Sequence, residues 1–367
     1  MKWSLKLGTF AGIAVYVHTT FLVLLGWIAG AHLLQGKGAG ATASGIGFIV
    51  AIFACVLLHE FGHALVAKRF GIKTRDITLL PIGGLARLER MPEDPKQEFL
   101  VAIAGPAVNG VIAAVLFVVI LLSGGLEAFE QLDIVSGSFL ERMMIVNVIL
   151  LVFNLIPAFP MDGGRVLRAV LATRQSYVRA TQTAAGVGQA IALVFGLIGL
   201  FLNPFLVFIA LFVWIGASSE ASMVLMKASL GGIPVNSAMI TEYEALAATE
   251  PLARAVELTL AGSQKDFPVL DGEKVVGVLV QKDLLAALAR NELQSPVSEF
   301  MQRDVQFAHA NEMLDLIFRR LGESKCQTLP VTRKGKLVGL VTMDNIGEFL
   351  SIHAALDGKT RAKGVPA

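Results

Sequence analysis

Residues His59-Glu60-Phe61-Gly62-His63 place two imidazoles and a carboxylate inside an otherwise apolar run, Ala54 to Val66. On a helix, side chains four apart share one face, so His59 and His63 can reach a single ion one turn apart, the spacing of a zinc-binding HExxH motif. Glu60, beside the first imidazole, is placed to accept a proton from a water that such an ion polarises. HExxH is a short pattern that also arises by chance, in core helices whose histidines are satisfied by hydrogen bonds. The setting decides against that reading, because a charged side chain at membrane depth costs about 2.5–3.5 kcal/mol on insertion scales.

A catalytic zinc takes a third protein ligand. The segment Asn154-Leu155-Ile156-Pro157-Ala158-Phe159-Pro160-Met161-Asp162-Gly163-Gly164-Arg165 ends a second apolar run on an acid. Pro157 and Pro160 break the helical ladder and the two glycines permit tight turns, so this stretch is expected to be partly unwound. Irregular backbone at membrane depth implies a polar cavity, and Asp162 is assigned as the third ligand. Without HExxH, Asp162 reads as an interfacial Asp-Gly turn.

The elements that must carry these groups follow from composition. The chain has 367 residues, 54% hydrophobic and only 16% charged, with mean hydropathy +0.67, against about 25% charged in soluble domains. A net charge of +2 gives no basic surface for nucleic acid. Two cysteines, Cys55 and Cys326, imply no disulfide framework and suit a reducing compartment. Apolar runs of about 20 residues, enough to cross a bilayer, cover 11–34, 45–67, 98–122, 142–162, 183–202 and 204–226. Lys2 and Lys6 precede the first, which runs past signal-peptide length and is read as a transmembrane helix. His18 and His32, at its two ends, are read as interfacial or packing residues.

Cytoplasmic loops carry the excess of Lys and Arg. Lys68, Arg69, Lys73, Arg75, Arg87, Arg90 and Lys96 follow the second run, and Arg165, Arg168, Arg174 and Arg179 follow the fourth. Between the third and fourth stand Glu127, Glu130, Asp133 and Glu141 against Arg142. Both termini are therefore expected in the cytoplasm, with HExxH and Asp162 near the cytoplasmic ends of two helices running the same way. After the second run, Ile77 to Leu80 and Leu85 to Leu88 flank Pro81-Ile82-Gly83-Gly84 and predict a small hairpin.

HExxH in the second run, Ala104-Gly105-Pro106-Ala107-Val108-Asn109 in the third and Asn154-x-x-Pro-x-x-Pro-x-Asp-Gly-Gly in the fourth together resemble the site-2 protease family of intramembrane zinc metalloproteases. The resemblance spans 1–226. It implies zinc on His59, His63 and Asp162, Glu60 as base, and membrane-anchored proteins with single transmembrane helices as substrates. Asn109 and Asn154 would hold substrate or stabilise the oxyanion, or else only bridge helices by hydrogen bonds. An extended substrate could add to the edge of the hairpin, which is equally readable as a plain connection.

Beyond about residue 230 charged helices alternate with short Val/Leu-rich strands. Val235, Met239, Pro268-Val269 and Gly277 recur 62 residues later as Val297, Met301, Pro330-Val331 and Gly339, and Asp283 as Asn345. This pattern resembles a tandem CBS pair, whose clefts commonly bind adenine nucleotides such as ATP or AMP. Thr342 and Asn345 match the Thr-x-x-Asp/Asn positions for phosphate and ribose. Val280 stands at the threonine position of the first repeat, which leaves Asp283 without its usual partner. The alternative is a pair serving only in assembly, such as a homodimer.

The expected architecture is a polytopic α-helical membrane domain of six transmembrane helices (1–226), a linker (227–234), a soluble α/β CBS pair (235–293 and 294–355) and a tail (356–367). The expected location is the membrane of a prokaryotic cell, with adenine nucleotide modulating the protease. A nucleotide-gated transporter or channel is the competing class, but it leaves HExxH with Asp162 unexplained. An inactive zinc-binding scaffold leaves Glu60 unexplained.

Overall fold

The computed structural model describes residues 3–36, 38–124, 137–324 and 326–362. Lys2, Glu127, Glu130 and Asp133 lie outside them. The chain divides into two compact units, Met1–Val224 and Leu225–Ala367.

The first unit opens with β1 (Ser4–Phe10) and β2 (Ile13–His18), then α1 (Thr19–Leu34), α2 (Ala39–Arg69), β3 (Thr74–Leu80), β4 (Gly83–Leu88), α3 (Pro95–Gly124), α4 (Phe139–Asn154), α5 (Asp162–Ala172), α6 (Tyr177–Phe201) and α7 (Pro204–Leu230). Among the described residues four helices, α2, α3, α6 and α7, are long and apolar enough to cross a membrane. The expected first span needs correction, because 13–18 is a strand and the helix starts only at Thr19. Ile13, Val15 and Val17 are buried and alternate with half-buried neighbours, a period of two that a hydropathy window averages away. The fourth expected span is shortened as well. A Ser138–Glu141 capping box starts α4, the helix ends at Asn154, and turns run from 155 to 161, where Pro157 and Pro160 cannot supply ladder donors. With 16 residues each, α1 and α4 are about 24 Å long, short of the roughly 30 Å hydrocarbon core.

The expected hairpin is present as β3 and β4, antiparallel. It belongs to a larger sheet of order β1-β2-β3-β4, in which β2 and β3 run parallel. Ile77 and Leu79 turn inward to meet α1 and α2, and β4 is an outer strand.

The second unit holds β5 (Leu246–Ala247), α8 (Leu252–Ala261), β6 (Phe267–Asp271), β7 (Lys274–Leu279), α9 (Gln281–Leu288), β8 (Ala308–His309), α10 (Leu314–Glu323), β9 (Thr328–Arg333), β10 (Lys336–Thr342) and α11 (Met343–Ala362). The elements repeat at the 62-residue offset, in two three-stranded sheets. Helix α7 continues to Leu230, so the first half of the 227–234 segment is helical. Val235 and Ala238 pack into the core around β9 and β10, and Val297 and Met301 into that around β6 and β7. Each repeat's leading segment thus completes the other's core. The recurrent glycines permit that exchange: a Cβ on Gly277 would lie 2.7 Å from the Gln302 carbonyl, and one on Gly339 2.7 Å from that of Ile240.

Candidate metal centre

Helix α2 presents His59 and His63 on one face, their Nε2 atoms 3.1 Å apart. The turns after α4 bring in Asp162, whose Oδ2 lies 3.2 Å from His59 Nε2 and 3.1 Å from His63 Nε2. All three residues are buried, at 7%, 5% and 7% exposure. Two sequence-distant segments therefore converge on one point, as the spacing argument expects. Gly163 and Gly164 lie within α5 rather than in a turn, and they allow close packing. A Cβ on Gly163 would sit 2.2 Å from the Ile156 carbonyl oxygen, and one on Gly164 2.6 Å from Ala158 C.

The remote imidazole nitrogens identify the tautomers. His63 Nδ1 is 2.7 Å from the Val101 carbonyl, which only accepts, so the ring donates there and Nε2 is left bare. His59 Nδ1 stands 3.2 Å from Asn109 Oδ1 and donates in the same way. Two bare nitrogens and a carboxylate oxygen then crowd together, an arrangement of lone pairs that a cation resolves. Among the described residues these three form the group able to hold a metal ion. Helix α3 leaves room for one at Gly105, where a Cβ would lie 2.2 Å from His63 Nε2 and 2.6 Å from His59 Nε2. The donor set, two imidazole nitrogens and a carboxylate oxygen, fits the three protein ligands of a catalytic zinc.

Glu60 is half-buried and lies against β4, where a Cβ on Gly84 would come within 2.6 Å of its Cγ and 3.1 Å of Oε1. Neither Gly84 nor Gly105 was assigned a role from sequence. The available signal was their place in the Gly83-Gly84 and Ala104-Gly105-Pro106 stretches. Asn109 is fully buried behind His59, where it orients the ring in the manner of outer-shell partners of metal-bound histidine. Asn154 ends α4, its Nδ2 donating to the Leu150 carbonyl.

Helix α5, which begins at Asp162, is anchored by Arg168. This residue was counted above among the loop cations, but it has no exposed surface. Its Nε donates to Glu98 Oε1 of α3 at 2.7 Å and its Nη1 to Glu220 Oε1 of α7 at 2.6 Å. The guanidinium also lies 5.0 Å and 4.9 Å from the Phe159 and Tyr177 ring centroids. Arg168→Met should destabilise the unit by about 3–5 kcal/mol, because it strands the buried Glu98 carboxylate, whereas adding Glu98→Leu should recover much of the loss. Thermal unfolding in detergent reads both variants, and equal instability of the single and double variants counts against the pairing account.

In the second unit, Thr342 Oγ1 accepts from Asn345 N at 3.1 Å, and both residues line a cleft with Ile240, Asp266 and Thr328. Asp283 is not among its lining residues and instead accepts from Gln302 Nε2 at 2.9 Å. The three expected nucleotide residues thus fall at two positions.

Comparison with known proteins agrees with this division. The family description "Peptidase family M50" matches residues 47–137 and 130–195, and "CBS domain" matches 225–290 and 297–351. A zinc metalloprotease of Methanocaldococcus jannaschii is 29% identical over 353 residues, 96% of this chain and 97% of that protein. Rip3 of Mycobacterium tuberculosis is 27% identical over 378 residues, 96% of this chain and 94% of Rip3. A solved site-2 protease from M. jannaschii is 37% identical and covers 60% of this chain and 95% of its own, with a TM-score of 0.43. With its His-His-Asp cluster among apolar helices and a repeated α/β unit following in sequence, the chain belongs to peptidase family M50, the site-2 protease zinc metalloproteases, and carries a tandem pair of CBS domains.

Proposed function

We propose that the chain is an intramembrane endopeptidase that hydrolyses peptide bonds in or near transmembrane segments of membrane-anchored proteins. The observation that carries this reading is the convergence of His59, His63 and Asp162 in buried surroundings, with Glu60 half-buried beside them. His59, His63 and Asp162 would hold a zinc ion, which would supply a Lewis acid able to bring the pKa of water toward about 7 and to polarise the scissile carbonyl. Val101 and Asn109 keep each imidazole turned so that Nε2 offers its lone pair. Glu60 accepts the proton of the attacking water and delivers it to the leaving amine nitrogen. The outer edge of β4, a strand that meets Glu60 at Gly84, binds the unwound substrate by main-chain hydrogen bonds, a recognition that demands no particular sequence.

In this proposal α1 and α4 join the four long helices to make six crossings. Lys68 and Arg69 in the last turn of α2 and Lys73 and Arg75 after it support a cytoplasmic location for both termini, in a prokaryotic cell membrane. The CBS pair binds an adenine nucleotide and modulates cleavage, by roughly five- to 150-fold if the coupling is of ordinary size. Metal analysis of purified wild type is expected to return one zinc per chain, and His59→Ala, His63→Ala and Asp162→Ala to lose it. Stoichiometric zinc retained in all three variants overturns the ligand assignment.

A further inference from the structure

The 62-residue repeat gives the CBS pair two related positions for a ligand, and they differ in state. At the second-repeat position, between the start of α11 and β9, there is an open cleft of about 740 Å³ lined by Thr342 and Asn345. At the first-repeat position Val280 replaces the threonine, and Val278, Val280 and Cys326 are buried together with Val305 packed on them. The Cys326 thiol donates to the Thr328 carbonyl. Asp283, the counterpart of Asn345, already accepts from Gln302. Among the described residues that position thus presents buried apolar side chains and an acid already paired.

The open cleft has a distinct chemistry. Its lining includes four carboxylates, Glu242, Asp266, Asp344 and Glu348, against one cation, Lys265, and Lys265 is itself paired with Asp344 at 3.0 Å. Asn345 Oδ1 is buried without a hydrogen-bond partner. A carbonyl oxygen can only accept, so the ligand must bring a donor, which a ribose hydroxyl is and an ionised phosphate oxygen is not. The volume would admit a triphosphate, so size does not discriminate between nucleosides and nucleotides. Charge does, because each added phosphate meets an excess of carboxylates at the rim.

We propose that each chain binds one adenosine-type ligand, in the second-repeat cleft only, and that this cleft favours nucleosides lacking a phosphate chain over nucleotides that carry one. The inference rests on the reading of the pair as an adenine-ligand sensor and names the ligand class.

Calorimetry on the full-length protein in detergent, with adenosine, AMP and ATP, each with and without Mg²⁺, tests it. The expected result is one site per chain and affinity falling from adenosine to AMP to ATP. Each step should be about fivefold at low salt, since like charges near 4 Å in water repel by about 1 kcal/mol, and smaller at high salt. The variant E242Q/E348Q should bind ATP several-fold more tightly and adenosine as before. Two sites per chain, ATP binding as tightly as adenosine in either condition, or no gain for ATP in that variant overturns the proposal while leaving the sensor reading standing. No binding by any of the three ligands removes the sensor reading, and this proposal with it.

Discussion

Glu60→Gln is expected to retain one zinc per chain and lose peptide-bond hydrolysis by a factor of at least about 10²–10⁴, the usual contribution of a positioned base. Glutamine is nearly isosteric with glutamate, so the close approach to Gly84 of β4 survives. None of the atoms of the His59, His63 and Asp162 cluster is touched. What disappears is an oxygen able to take a proton, so the defect should lie in kcat rather than in substrate binding. Wild type and variant reconstituted with a membrane-anchored reporter, with cleavage followed on gels and metal measured in the same samples, give the comparison. Undiminished turnover removes Glu60 as the base, and loss of zinc together with activity makes its role structural.

Gly105→Ala should be nearly as damaging, although it deletes no donor atom. The added methyl would stand 2.2 Å from His63 Nε2 and 2.6 Å from His59 Nε2, so either the rings or α3 must move. Overpacking of this kind costs about 1–3 kcal/mol, which at 1.4 kcal/mol per decade lowers zinc affinity roughly five- to 150-fold. Activity should fall at least as far, since the methyl also intrudes where the reacting groups meet. Gly110→Ala, five residues along the same helix, is the control. Its methyl would touch only Leu151 Cδ2, at 3.7 Å, and zinc should remain. Zinc titration and cleavage by both variants read the difference, and equal behaviour refutes the idea that Gly105 makes room for the ion.

The residues proposed to do the chemistry stand out in sequence because their types are costly where they stand. Two histidines and two acids within apolar runs have few bland explanations, and helical spacing alone puts His59 and His63 on one face. The 62-residue repeat was equally legible, since each recurrence reflects a packing requirement, as the approach of Met301 to Gly277 and of Met239 to Gly339 illustrates. Hydropathy misread the amino-terminal segment. A window long enough to find a helix sums over the alternation of Ile13, Val15 and Val17 and hides a strand whose partners, β1 and β3, lie on either side of it in the sheet. The charge count, for its part, set Arg168 among the loop cations, because pairing with Glu98 and Glu220 joins residues 70 and 52 positions away.

Taken alone, the amino-acid sequence determined the candidate donor set, its helical register, the break before Asp162 and the existence of two repeats, all properties of local spacing and residue type. Tertiary structure decided the rest. It put Asn109 behind His59, set Gly105 against both imidazoles and Gly84 against Glu60, and gave the two related positions of the repeat pair different surroundings, buried apolar side chains at one and a cleft lined by Thr342 and Asn345 at the other. Each of these depends on how closely two segments distant in the chain approach, and that distance is fixed by the packing of whole helices and strands.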